Sequence, residues 1–200
     1  MIGSSRADFV THKALPYDSE IEYIESTGTQ YIDTGIGVVN GILMEYYGAW
    51  GGLNYPIVCA TGDTPSKYVR INLYNTYNIA VWKAGTSKYV RVSPRTNTFY
   101  NVYHDSRGLS NIVKWNGEEK LNEDTTGYAN PDTNVMVFNE NGTIKSGKIQ
   151  SLKLTDNNND VVFDGIAVRV GTTGYLYDKV SGTLFGNDGT GDFTLGPDKN

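Results

Sequence analysis

Cysteine is almost missing from this sequence. Cys59 stands alone, so no disulfide can close within the chain and a crosslinked loop scaffold is excluded. Two histidines, His12 and His104, leave little from which to build a metal cage, and no metal site is expected. Charge is sparse as well. Charged residues make up 20% of the chain, and 17 basic against 22 acidic side chains give a net −5. No evident cluster of Lys and Arg offers a phosphate-binding face, so no nucleic-acid partner is expected. There is no apolar run of about eighteen residues, so no membrane insertion is expected, and residues 1–16 lack the apolar stretch of a secretory leader. The good helix formers Ala, Leu, Glu and Lys are thin on the ground. Neither an amphipathic helical period nor a repeat of 20–50 residues is visible. The glycine-rich stretch Gly186–Gly191 follows neither phosphate-loop pattern, and no cofactor is implied.

What is abundant is turn and strand chemistry. The 200 residues include 23 Gly and 15 Tyr among many Thr and Asn, a mixture suited to short pleated strands joined by tight turns. Strand signals recur about every ten residues from Tyr17 onward, which predicts a single all-β domain over 17–200. Val69, Ile71 and Leu73 share one strand face, and Ile166, Val168 and Val170 share another. Separate strands are expected at 161–163 and 166–170. Asn116-Gly117, between NIVKW and EEKLN, predicts a two-residue type I′ hairpin turn, and a second hairpin is expected across Asp156–Asp160. Residues 1–16 show no alternation and end at Pro16. They are read as an extended assembly arm whose anchors are Ile2, Phe9, Val10 and Leu15.

Two stretches carry a family resemblance. LPYDSEIEYIESTGTQYIDTGI (15–36) and GKIQSLKLTDNNNDVVFDGIAVRVGTTGYLYDKVSGTLFGNDGTGDFTLGPDKN (147–200) resemble the two ends of concanavalin/laminin-G-like modules. Such modules are found in surface proteins of gut Bacteroidetes and Firmicutes and in their phages. The resemblance implies a two-sheet antiparallel jelly roll, associated with virions and cell surfaces and with glycan binding. A module of this kind without an export leader fits a phage virion: a non-enzymatic fibre or capsid/tail decoration subunit, homo-oligomeric, assembled in the host cytoplasm. On that reading the arm docks onto other virion proteins or sister subunits, and host glycans are a further partner. The alternative is a bacterial carbohydrate-binding, lectin-like module at the cell surface. A glycoside hydrolase is the distant third.

The hydrolase reading rests on Glu20, Glu22 and Glu25, which mimic the E-I-D-x-x-E strand of laminarinase-like enzymes. The middle Asp is absent, and Glu25 has the wrong parity to share a face with Glu20 and Glu22. Asp156–Asp160 begins like a calcium loop but lacks its Gly and its closing Glu, and Asp188 with Asp192 poses the same question. No activated Ser or Cys accompanies His104 and Asp105, so no catalytic residue is assigned. Aromatic side chains beside Asn and Gly are the candidate contact residues. They are Tyr47, Trp50, Tyr74, Tyr77 and Trp82, whose flat rings suit sugars or a protein partner.

Overall fold

Alternation decides the architecture. Val69, Ile71 and Leu73 point one way and are buried, while Arg70 and Asn72 point the other. The computed structural model describes residues 14–199, so the arm anchors Ile2, Phe9 and Val10 lie outside the described residues. In chain order the first strands are β1 (Ser19–Glu20), β2 (Ile24–Thr27), β3 (Ile32–Asp33), β4 (Leu43–Trp50) and β5 (Val58–Ala60). A 3₁₀ turn at Pro65–Lys67 leads into β6 (Val69–Leu73), β7 (Asn78–Lys83) and β8 (Thr86–Arg91). Next come β9 (Tyr100–Asp105), β10 (Ser110–Trp115), β11 (Glu118–Asp124), β12 (Met136–Val137), β13 (Asn139–Glu140) and β14 (Thr143–Ile144). The chain closes with β15 (Ser146–Thr155), β16 (Val161–Val170), β17 (Thr173–Asp178), β18 (Thr183–Phe185) and β19 (Thr194–Leu195).

Two antiparallel sheets form a jelly-roll sandwich. The larger runs β11-β10-β9-β4-β15-β16-β17-β18, with β1 beside β16, β2 beside β15, and β19 beside β2. The smaller runs β3-β12-β5-β6-β7-β8. One apolar cluster fills the space between them, with Met44, Tyr46, Leu152 and Leu154 from the large sheet and Ile71, Leu73, Ile79 and Val81 from the small one. The expected Asn-Gly hairpin is present: Asn116 (φ 51°) and Gly117 (φ 82°) both take the positive φ of a type I′ turn, and Trp115 pairs with Glu118. The second expected hairpin joins β15 to β16 through Asp156–Asp160.

Residues 161–163 and 166–170 form one strand, β16, rather than two. Gly165 faces inward there, and a Cβ at that position would strike the Phe163 ring. The glycine therefore makes room for core packing instead of breaking the strand. Ile166, Val168 and Val170 share the side opposite Phe163 and Ala167; Val170 is exposed there, whereas Val168, beside Glu20 of β1, is fully buried. Phe138 separates β12 from the small hairpin β13–β14. It is buried with φ 63°, a conformation that costs a non-glycine residue about 1–3 kcal/mol and is repaid here by core burial.

Candidate functional site

Strand register places two rows of side chains across the outer face of the larger sheet. One row is Lys114–Tyr103–Glu45–Lys153–Asp164, contributed by β10, β9, β4, β15 and β16 in turn. The other, two residues along, is Asn101–Tyr47–Ser151–Ile166–Tyr177. At the usual strand spacing five strands cover about 19 Å. Most of these residues line an open groove of about 660 Å³, closed at one end by Gly117 of the hairpin and at another by Lys179. Tyr47 also borders an adjoining hollow of about 400 Å³ with Tyr23, Phe99, Glu22 and Gln150. Its ring centroid lies 5.1 Å from that of Phe99, so the aromatic surface is continuous from one hollow into the next.

Charge in the groove is arranged in pairs. Lys153 lies 3.7 Å from Glu45, and Lys179 lies 3.0 Å from Asp164. Lys114 has no carboxylate within 4.0 Å among the described residues, and its ammonium sits 4.9 Å from the centroid of the Tyr103 ring. Partial burial, and then the neighbouring Asp105 carboxylate, raise the Tyr103 phenol above its ordinary pKa. Its neutral hydroxyl lies 3.4 Å from Asp105 Oδ2, to which it donates. Burial works to raise Asp105 too, but two hydrogen bonds from Arg107, at 2.7 and 2.8 Å, outweigh it and hold that carboxyl below its usual range. The resulting surface offers ring faces, hydroxyls, an amide and paired charges on a rigid sheet. Those are the groups that stack on and hydrogen-bond a polyhydroxylated ligand.

A third hollow, of about 510 Å³, lies at the tip of the smaller sheet between Leu53, Tyr77 and the turn Ser93–Thr96. Tyr77 is 59% exposed there. Beside it on the outer face of the small sheet, Tyr74 packs on Tyr89 at 4.6 Å.

The structure scatters the five aromatic candidates. Tyr47 lies in the groove and Tyr77 at the tip. Tyr74 and Trp82 lie on the outer face of the small sheet, where Trp82 is half-buried with the Arg70 guanidinium 4.9 Å from its ring. Trp50 is corrected: it is 0% exposed, stacked on Trp115 with centroids 5.6 Å apart and planes at 23°. The adjacent glycines, read as a sign of an exposed loop, mark close packing. A Cβ at Gly51 would collide with Ser146 and one at Gly48 with Ile57. Tyr103, Asn101 and Lys114 escaped the sequence reading, because outward parity matters only once neighbouring strands are known.

Other candidates resolve into local structure. Glu20 lies 3.8 Å from Lys199 and Glu25 lies 3.7 Å from Lys148, on separate short strands, and Glu22 borders the smaller hollow. Asp156 accepts the backbone N–H groups of Asn158 and Asp160 and so caps its own turn, while Asp188 accepts the N–H of Asp33 and ties the C-terminal loop to β3. Asp192 is exposed. His104 is fully buried, its Nε2 3.2 Å from the Asn111 side chain, and burial lowers its pKa to about 4. Leu15 is 61% exposed. No helix among the described residues is long and apolar enough to cross a membrane.

No protein-family model matches the chain, and a search of characterised proteins finds no match. Among solved structures, it is similar to a "putative carbohydrate binding protein" from Bacteroides ovatus, with a TM-score of 0.60 at 12% sequence identity. The alignment covers 88% of this chain and 60% of that protein, so this chain spans about three-fifths of its length. At that identity the likeness establishes the shared fold.

Proposed function

We propose that this chain is a carbohydrate-binding module that acts by contact, with a saccharide lying in the groove across the larger sheet. The observation that carries the reading is the double row around Tyr47 and Tyr103, where rings, hydroxyls and paired charges meet in an open groove of about 660 Å³. Sugars expose C–H faces that stack on aromatic rings and hydroxyls that need both donors and acceptors. Glu45 and Asp164, tied to Lys153 and Lys179, can accept from sugar hydroxyls while the lysines donate to them. The fold neighbour named for carbohydrate binding supports the same reading. A glycan array probed with the isolated chain tests it. Tyr47→Ala and Tyr103→Ala should each weaken the strongest signal about tenfold, the loss expected when about 1.4 kcal/mol of ring contact goes. No signal on any glycan, or signals that both variants preserve, would reject the groove.

The phage-virion reading takes second place, because it draws on the sequence resemblance while the groove and the fold neighbour favour glycan binding. Its own content is docking of residues 1–16 onto a virion partner or sister subunit. The exposed Leu15 supports that docking. On this reading a chain beginning at Tyr17 should fold normally yet fail to enter the particle, and normal incorporation would count against it.

A further inference from the structure

We propose that the tip of the smaller sheet is a second binding site, made for an anionic saccharide that carries a carboxylate or a sulfate. It goes beyond the groove and does not depend on it, since the two hollows share no lining residue. The charge distribution of the chain points there first. Residues 64–104 contain six of the 17 basic side chains and none of the 22 acidic ones. Four of those six cations are already engaged. Lys67 lies 3.0 Å from Asp63 and 2.8 Å from Asp132, Arg70 pairs with Glu140, and Lys88 lies 3.0 Å from Glu123. Lys83 is buried and donates to the Gly108 and Ser110 carbonyls at 2.9 and 2.5 Å.

The remaining two, Arg91 and Arg95, are exposed and have no carboxylate within 4.0 Å among the described residues. Both belong to the tip. Arg95 lines its 510 Å³ hollow, and the Arg91 guanidinium stands 5.8 Å from the centroid of the Tyr77 ring. In a protein of net charge −5, two uncompensated guanidinium groups beside one hollow favour an anion. Their planar donor forks match the paired oxygens of a carboxylate or sulfate. The rest of the lining suits a sugar ring: the Tyr77 face and Leu53 for its C–H side, and Thr76 and Ser93 for its hydroxyls. The backbone is held in place, with Val92 and Ser93 donating to the Tyr77 carbonyl at 3.0 and 2.9 Å, and the Arg95 N–H donating to the Tyr100 hydroxyl at 2.9 Å.

Titration calorimetry with three probes tests this: trigalacturonate for a carboxylate, a sulfated heparin tetrasaccharide for a sulfate, and neutral maltotriose as control. At least one acidic probe should bind with a Kd below about 1 mM, weaken severalfold when salt is raised, and lose about tenfold or more in Arg91→Gln/Arg95→Gln. Tyr103→Ala, in the groove, should leave that binding unchanged. Both arginines are exposed and without ion pairs among the described residues, so the double variant should melt as the parent does; single Arg95→Gln, with a smaller loss, serves as a second variant. Three results would overturn the site: no binding of either acidic probe, equal binding by the double variant, or loss of acidic-probe binding through Tyr103→Ala alone. Failure of every neutral glycan in the groove would leave this result standing, so the two readings fail separately.

Discussion

Single residues in this protein divide by which way a strand turns them, and energies follow. Trp50 and Tyr47 are three positions apart on β4, yet one is sealed against Trp115 and the other borders the groove. Trp50→Ala should therefore cost about 3–5 kcal/mol in urea unfolding, as emptied aromatic core sites do, while Tyr47→Ala should cost no more than about 1 kcal/mol. A small loss at Trp50 would remove it from the core. His104 gives a pH test. The unfolded chain takes up its proton near pH 6.5, while the folded chain resists until about pH 4 because the imidazole is buried. Stability from this group is present above pH 6.5 and is lost as pH falls towards 4, by roughly 3 kcal/mol at 1.36 kcal/mol per unit. Unfolding midpoints at pH 7 and pH 4.5 should differ more in the parent than in His104→Gln, and equal differences would contradict the assignment. Nothing in the local pattern marks Trp50 as core. A tryptophan among glycines looks like a loop until the glycines are seen against Ser146 and Ile57.

At the scale of elements, strand existence was readable and strand facing was not. Period-two alternation marks Val69–Leu73 and Ile166–Val170 as strands, but it does not say which side is the core, nor that the second strand continues back through Gly165 to Val161. In β6 the apolar side faces in. In β16 the core side carries Phe163 and Ala167, with Gly165 leaving room for the Phe163 ring, and the apolar trio Ile166, Val168 and Val170 takes the other side, where Val168 is still fully buried. The hairpin at Asn116-Gly117 was readable because its turn chemistry is local: both residues must take positive φ. Gly117→Val should accordingly cost about 1–3 kcal/mol and speed amide exchange along β10 and β11. Unchanged exchange over 110–124 would mean the turn does not set the register. The groove was legible only in part, through Tyr47. Tyr103 and Lys114 join it because β9 lies between β4 and β10, a long-range order that no local pattern encodes. The acid-free run 64–104 was in plain view, yet its meaning depended on which cations found partners once the sheets formed.

Across the whole molecule, the sandwich works as a rigid frame whose two sides present different chemistry. The large sheet lays tyrosines and matched charges across five strands, and the small sheet ends in an aromatic tip with two unmatched arginines. A rigid β frame holds such groups in place before a ligand arrives, which lowers the ordering cost of binding. Were both proposed sites to hold one polymer, the second contact would raise effective affinity without tighter individual sites. Saccharide binding in the groove is read directly by amide NMR during titration with an oligosaccharide chosen from the array. A saccharide held in the groove should shift the amides of Tyr47, Asn101, Tyr103, Ser151 and Lys153 and leave the core signals around Trp50 unmoved. Shifts confined to other surfaces, with the residues of the two rows silent at saturation, would contradict it.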